Sequence, residues 1–304
     1  RAVTLFGESV DPDKVTLPPY YPRDPVLLRD WAAYLDSVRI TDWHVGQVMA
    51  RLEKEGLLEN TVVIFMTDHG ISHARGKQFL YDEGTHIPFV ICGPGVAAGK
   101  VRDDLIEHID MAAISLAAAG LPVPAWMQGR NVLAEDYSPR DAVFSARDRC
   151  GEAADRIRSV RTEDYLYLRN FHPGRPHLMV NDYKDTKLII QRLREMHAEG
   201  QSPEISEKLL FAPVRPAEEL YEWRDDRWQV ANLAADAKHE EAGRRLSARL
   251  DQWIEESGDP GDESPEVYDL EIADELAVIK AGSERYRAFS NNAEVYRQWM
   301  KEGK

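Results

Sequence analysis

The segment Thr61–Val90, TVVIFMTDHGISHARGKQFLYDEGTHIPFV, sets a carboxylate and an imidazole, Asp68 and His69, at the end of an apolar run. Such a pair can serve as metal ligands, and Gly70 lets the backbone turn sharply after them. Lys77 follows nine positions after Asp68, flanked by Arg75 and Gly76. Cations on a polar loop beside a metal would clamp a tetrahedral anion and stabilise charge that builds on it. The chemistry suggested is hydrolysis of an anionic group at one half of a metal site. The blander alternative has Asp68 capping a following helix, His69 in a loop and the lysine on a solvated basic surface. His73 is a candidate for touching substrate, with a plain surface position the favoured alternative. His86, ahead of the next apolar run, reads as structural. There is no His-Glu-x-x-His, so nothing points to a zincin.

Sites of open α/β sheets lie at the carboxyl ends of strands, and the flanking elements fit that plan. TVVIFM is a short β-branched and aromatic run that predicts a strand buried on both faces, and IPFVICGPG predicts a second. Ahead of them Trp31, Tyr34, Leu35, Val38, Val45, Val48, Met49 and Leu52 recur at helical spacing, with Gly56 as C-cap. After them DMAAISLAAAGLP predicts a helix with Asp110 as N-cap and Gly120 as C-cap. Helix, strand, loop, strand, helix indicates an α/β layered domain over residues 1–140. The Pro-rich stretch 1–27 is expected to wrap over a surface rather than enter a core.

Beyond residue 140 the texture changes. AVFSARDR, RIRSVRTEDYLYLRNF and AEELYEWRDDRWQVANL predict an antiparallel sheet, and EEAGRRLSARLDQWIEES an amphipathic helix, giving a second unit over 141–257. From Gly258 an acidic Gly/Pro linker leads into a polar tail, 258–304, expected to be helical from about 270 and to act as a packing arm. The net charge of −15 argues against general nucleic-acid binding, which needs a basic face. Cys92 lies in an apolar strand pattern and is expected to be a buried core thiol; with Cys150 it gives no disulfide framework. No apolar run reaches the length of a membrane span. The chain starts at Arg1 without a methionine, so it is expected to be processed or part of something longer.

Taken together, ENTVVIFMTDHG followed by GKQFLYDEGTHIPFVICGPG resembles the sulfatase family of the alkaline-phosphatase superfamily. The helix LRDWAAYLDSVRITDWHVGQVMARLEKEGLLENT, the approach TLPPYYPRDP, and the downstream RSVRTEDYLYLRNF and PAEELYEWRDDRWQVANLA extend the resemblance over roughly residues 10–255. TLPPYYPRDP, the spacing from Asp68 to Lys77 and the segment around NFHPGRP are closest to the N-sulfoglucosamine sulfohydrolase (heparan N-sulfatase) subgroup. The resemblance implies an alkaline-phosphatase-like mixed sheet sandwiched by helices, present in part, with a smaller C-terminal antiparallel subdomain. It also implies that Asp68 and His69 hold a divalent metal, most often Ca2+, with Zn2+ or Mn2+ as alternatives. Lys77 would bind the sulfate, with Arg75 a weaker candidate. Arg147 and Arg149 could reach in from the C-terminal subdomain toward an acidic substrate, surface ion pairing being the alternative for both.

Two departures stand out. The family's formylglycine arises from Cys or Ser in a Cys/Ser-x-Pro-x-Arg motif, and no such motif occurs here. The paired aspartates that complete the family's metal site are also absent, so an N-terminal segment of the same enzyme is expected as a partner. His69 stands where many members carry Asn, and calcium prefers oxygen. The implied reaction is hydrolysis of a sulfate ester or sulfamate on a sugar or aryl substrate, in a periplasmic, secreted or lysosomal setting. A metal-dependent phosphatase or phosphonate hydrolase of the same superfamily, and a non-catalytic glycan-binding fragment, are the competing readings. Homo-oligomer formation stays open, and neither nucleic acid nor membrane is expected as a partner.

Overall fold

The computed structural model describes residues 1–304. Helix α1, Pro25–Lys54, starts where Asp24 accepts from the Val26 amide at 2.8 Å and Pro25 presets the first turn. It stops just before Gly56, whose φ of 68° is the left-handed geometry a helix end favours. Only its first turns bury side chains: Leu27, Leu28, Trp31 and Ala32.

Strands β1, Val63–Met66, and β2, Phe89–Cys92, pair antiparallel, with Val63 opposite Cys92 and Met66 opposite Phe89. The expected burial on both faces is not found. β1 is half-buried throughout, β2 alternates between half-buried and exposed, and Cys92 is an exposed free thiol rather than a core one. A continuous apolar run needs covering layers on both sides, and within this chain each strand has only the other as its hydrogen-bonded neighbour. Helix α2 spans Asp110–Ala118. Asp110 is its first residue rather than a simple cap. Its carboxylate takes the Glu107 and Arg130 amides and a two-pronged bond from Arg140, pinning the loops around the helix start.

A four-stranded antiparallel sheet follows: β3, Val143–Arg147; β4, Ile157–Arg161; β5, Leu166–Asn170; and β6, Glu218–Tyr221, each paired with the next. Of the long run AEELYEWRDDRWQVANL only Glu218–Tyr221 is strand; the acidic and basic residues after it form turns. Strand alternation divides the sheet's apolar side chains between two cores. On one face Ile157, Leu166, Leu168 and Tyr221 pack on Phe79, Leu80 and Tyr81. On the other, Val160, Tyr167 and Leu220 pack on Leu246 and Leu250 of helix α4, with α3 spanning Leu188–Ala198 and α4 Glu240–Ser257.

The largest core crosses residue 140. It joins Val15, Tyr20 and Tyr21 to Leu27, Leu28 and Trp31 of α1, and to Ile189, Ile190 and Leu193 of α3. The Pro-rich N-terminal stretch therefore enters the core, contrary to expectation, because its adjacent tyrosines are both buried. The tail forms two helices, α5, Pro265–Val278, and α6, Glu284–Glu302. Tyr268, Ile272, Phe289, Ala293 and Tyr296 clamp it onto Ala153, Ala154 and Met179. No helix is long and apolar enough to cross a membrane.

Candidate active site

β1 ends at Met66, and the Thr67 carbonyl is held by His108 Nε2 at 3.0 Å. The chain then crosses the 82–85 helical turn so closely that the Gly70 amide donates to the Gly84 carbonyl at 2.9 Å. A Cβ on Gly70 would lie 1.8 Å from the Glu83 carbonyl oxygen, so only glycine passes. This crossing leaves Asp68 and His69 at the strand end, their side chains 85% and 33% exposed. His69 Nδ1 lies 2.8 Å from the Gly70 carbonyl, which can only accept, so Nδ1 carries the proton. His69 Nε2 then faces Asp68 Oδ2 at 3.3 Å. A neutral Nε2 and a carboxylate oxygen present lone pairs to each other. An imidazole nitrogen with its other N–H held by a carbonyl, beside a carboxylate oxygen, is a donor set that a shared metal ion would fit. No third His, Cys, Asp or Glu joins them, and two donors do not complete a site.

Lys77 is drawn back toward this pair by its own loop. Its amide donates to the carbonyl of Ile71, two residues after His69, at 2.7 Å. Gly76 makes the closure possible, since a Cβ there would lie 1.9 Å from the same oxygen. The half-buried Lys77 ammonium sits 4.7 Å from the centre of the Tyr183 ring, and Lys187 sits 4.5 Å from it. Ser72 Oγ donates to the Tyr183 hydroxyl at 3.3 Å. That bond, with Lys187 and Lys77 nearby, holds the Tyr183 phenol below its ordinary pKa.

The other sequence candidates are placed differently. His73 is neither on the surface nor open to substrate: it is buried, donates from Nε2 to Asp30 at 2.7 Å and packs on Trp31. Arg75 is 1% exposed, donates to the Gln229 carbonyl at 2.7 Å and lies 3.7 Å from the Tyr81 ring centre, so it anchors the loop from inside. Arg147 does not reach outward. Its guanidinium pairs with Asp155 at 3.2 Å, and Arg215 binds the same carboxylate at 2.7 and 2.8 Å. Burial alone would raise the Asp155 pKa, but Arg147 and Arg215 pull it well below the carboxylate range. Arg149 spends its charge on Glu263 and Glu271 of the tail, at 3.1 and 2.8 Å. The residues around Lys77 that sequence reasoning missed are Tyr183, Lys184 and Lys187. They lie just before the periodic Ile189, Ile190 and Leu193 of α3, the only local signal that could have located them.

With this geometry in hand, comparison with known proteins is informative. Residues 7–121 match the Sulfatase family model, and residues 69–209 match the model of the N-sulphoglucosamine sulphohydrolase C-terminal region. The ulvan-active sulfatase of Formosa agariphila is 32% identical over 248 residues, covering 81% of this chain and 41% of that protein. The N-sulphoglucosamine sulphohydrolase of Homo sapiens is 27% identical over 267 residues, covering 83% of this chain and 53% of that protein. The chain thus spans about half or less of the length of these relatives. In fold it is similar to the yidJ protein of Bacteroides fragilis, with a TM-score of 0.60 at 17% identity over 90% of this chain and 52% of that one. The fold is alkaline-phosphatase-like, and the chain belongs to the sulfatase family.

Proposed function

We propose that the chain contributes one part of a sulfatase active site, in an enzyme that removes sulfate from a sugar or aryl substrate as the ester or the sulfamate. The carrying observation is the single loop that returns Lys77 to Ile71, just beyond the Asp68–His69 pair. Asp68 and His69 would hold a divalent metal, with Ca2+ proposed and Zn2+ or Mn2+ admitted by the imidazole nitrogen. When bound, that ion would take up charge on the sulfate oxygens. Lys77 would bind the same anion as a point charge, on a loop whose other cation, Arg75, is locked inside. The chain holds no Cys/Ser-x-Pro-x-Arg motif, so the formylglycine nucleophile is assigned to sequence outside these 304 residues. The names of the two relatives, an ulvan-active sulfatase and an N-sulphoglucosamine sulphohydrolase, support a sulfated glycan as substrate.

The match over 69–209 weighs against a phosphatase or phosphonate hydrolase. The test is turnover by the complete enzyme on matched sulfate ester, sulfamate and phosphate ester, beside the 304-residue chain alone. Sulfate or sulfamate release by the complete enzyme and none by the chain alone is expected. Preference for phosphate ester would replace the reading, and glycan binding without turnover would favour the non-catalytic one. Sulfate release by the chain alone would overturn the assignment of the nucleophile.

A further inference from the structure

Lys184 is 2% exposed, and no carboxylate pairs with it. It belongs to the helical turn 182–185, whose N-cap is Asn181. Its ammonium donates to the His73 carbonyl at 2.8 Å and lies 5.1 Å from the Phe79 ring centre, with Arg147 at 4.7 Å from the same ring. Asn181 takes the far end of the same stretch, accepting from the Gln78 side chain at 3.3 Å. Gln78 itself has φ of 81°, a left-handed conformation that is unfavourable for a residue with a side chain. One short turn therefore grips both ends of residues 73–79, and Lys77 stands between the grips. Burying an ammonium without a counter-charge is unfavourable. Desolvation, reinforced by Arg147, pushes the Lys184 pKa well below that of an ordinary lysine. An apolar side chain of the same length would satisfy packing better, so packing does not account for a lysine here.

We infer that Lys184 is a positioning residue: through the His73 carbonyl and the Phe79 ring it holds the loop that presents Lys77 to the anion. This rests on the reading of Lys77 as the sulfate-binding cation. Lys184→Met removes the donor and the buried charge at similar length, while Lys184→Gln retains a neutral donor. Three readouts decide the matter in the complete enzyme. The amides of Lys77 and Phe79, bonded to the Ile71 and Gly76 carbonyls, and that of Ala74, bonded to the Tyr21 hydroxyl, should exchange with solvent at least about 10-fold faster in K184M and return toward wild type in K184Q. Displacing a contact group by about 1 Å can cost about 10²-fold in rate, so kcat should fall roughly 10- to 10²-fold in K184M, mostly without change in KM, and recover in K184Q. The melting temperature of K184M should stay level or rise, which a merely structural lysine would not allow. Full turnover by K184M, or a fall in stability alongside its loss of turnover, overturns the inference. If Lys77→Ala itself keeps full turnover while the loop amides respond as described, the anion-site reading fails instead, and the two failures are distinguishable.

Discussion

Alanine at Gly70 probes the backbone crossing on which the Asp68–His69 turn depends. Its Cβ would meet the Glu83 carbonyl oxygen at 1.8 Å, the Glu83 carbonyl carbon at 2.7 Å and the Gly84 Cα at 3.1 Å. All three are backbone atoms, so no side chain can rotate away and the two segments must separate. Overpacking of this kind costs about 1–3 kcal/mol. Separation also breaks the bond from the Gly70 amide to the Gly84 carbonyl, worth about 0.5–1.5 kcal/mol. Gly70→Ala should therefore destabilise by roughly 1.5–4.5 kcal/mol. Gly46, inside α1, is the control: nothing lies within 4 Å of its would-be Cβ. Gly46→Ala should stabilise by about 0.5–1 kcal/mol, the helix preference of alanine over glycine. Urea unfolding of both variants beside wild type reads the two signs directly. A Gly70→Ala protein as stable as wild type would refute the close crossing and, with it, the reason that Asp68 and His69 sit where they do.

Asp155→Asn leaves Arg147 and Arg215 buried with no counter-charge and should cost about 3–5 kcal/mol by chemical unfolding. Because the folded Asp155 pKa is depressed, its contribution is complete above the unfolded carboxylate value and is lost as pH falls below about 4. Wild type should therefore lose stability across that acid window and Asp155→Asn should show a flatter acid limb; parallel acid limbs would reject the assignment. Leu250→Ala opens a cavity between α4 and the four-stranded sheet and should cost about 2–5 kcal/mol, with less than 1 kcal/mol placing Leu250 outside that core.

Local pattern was enough wherever an element's cause is local. Asp24, Pro25 and Gly56 bracket α1, the apolar stripe of 240–257 is α4, and the polar and aromatic strands beyond residue 140 form the expected antiparallel sheet. The strand end bearing Asp68 and His69 was readable for the same reason. Burial of the loop was not. His73 meets Asp30 at a separation of 43 residues, and Arg75 meets Gln229 at 154. A basic loop looks solvated until those partners are known. Burial of β1 and β2 failed in the opposite sense, because it depends on covering layers that the local pattern cannot supply. Arg147 looked like an outward-reaching cation because its counter-ion, Asp155, also depends on Arg215 from a distant segment.

The proposed function has Lys77 and Asp68 divide one task in the complete enzyme, the lysine holding the sulfate and the aspartate the metal. Metal content and sulfate-ester turnover measured together on Lys77→Ala and Asp68→Ala separate these roles. Lys77→Ala should keep its metal and its melting temperature and lose roughly 10²–10³-fold in rate, by analogy with loss of one oxyanion donor. Asp68→Ala should lose metal and rate together. A Lys77→Ala enzyme that turns over at the wild-type rate, or that loses its metal, would contradict the assignment.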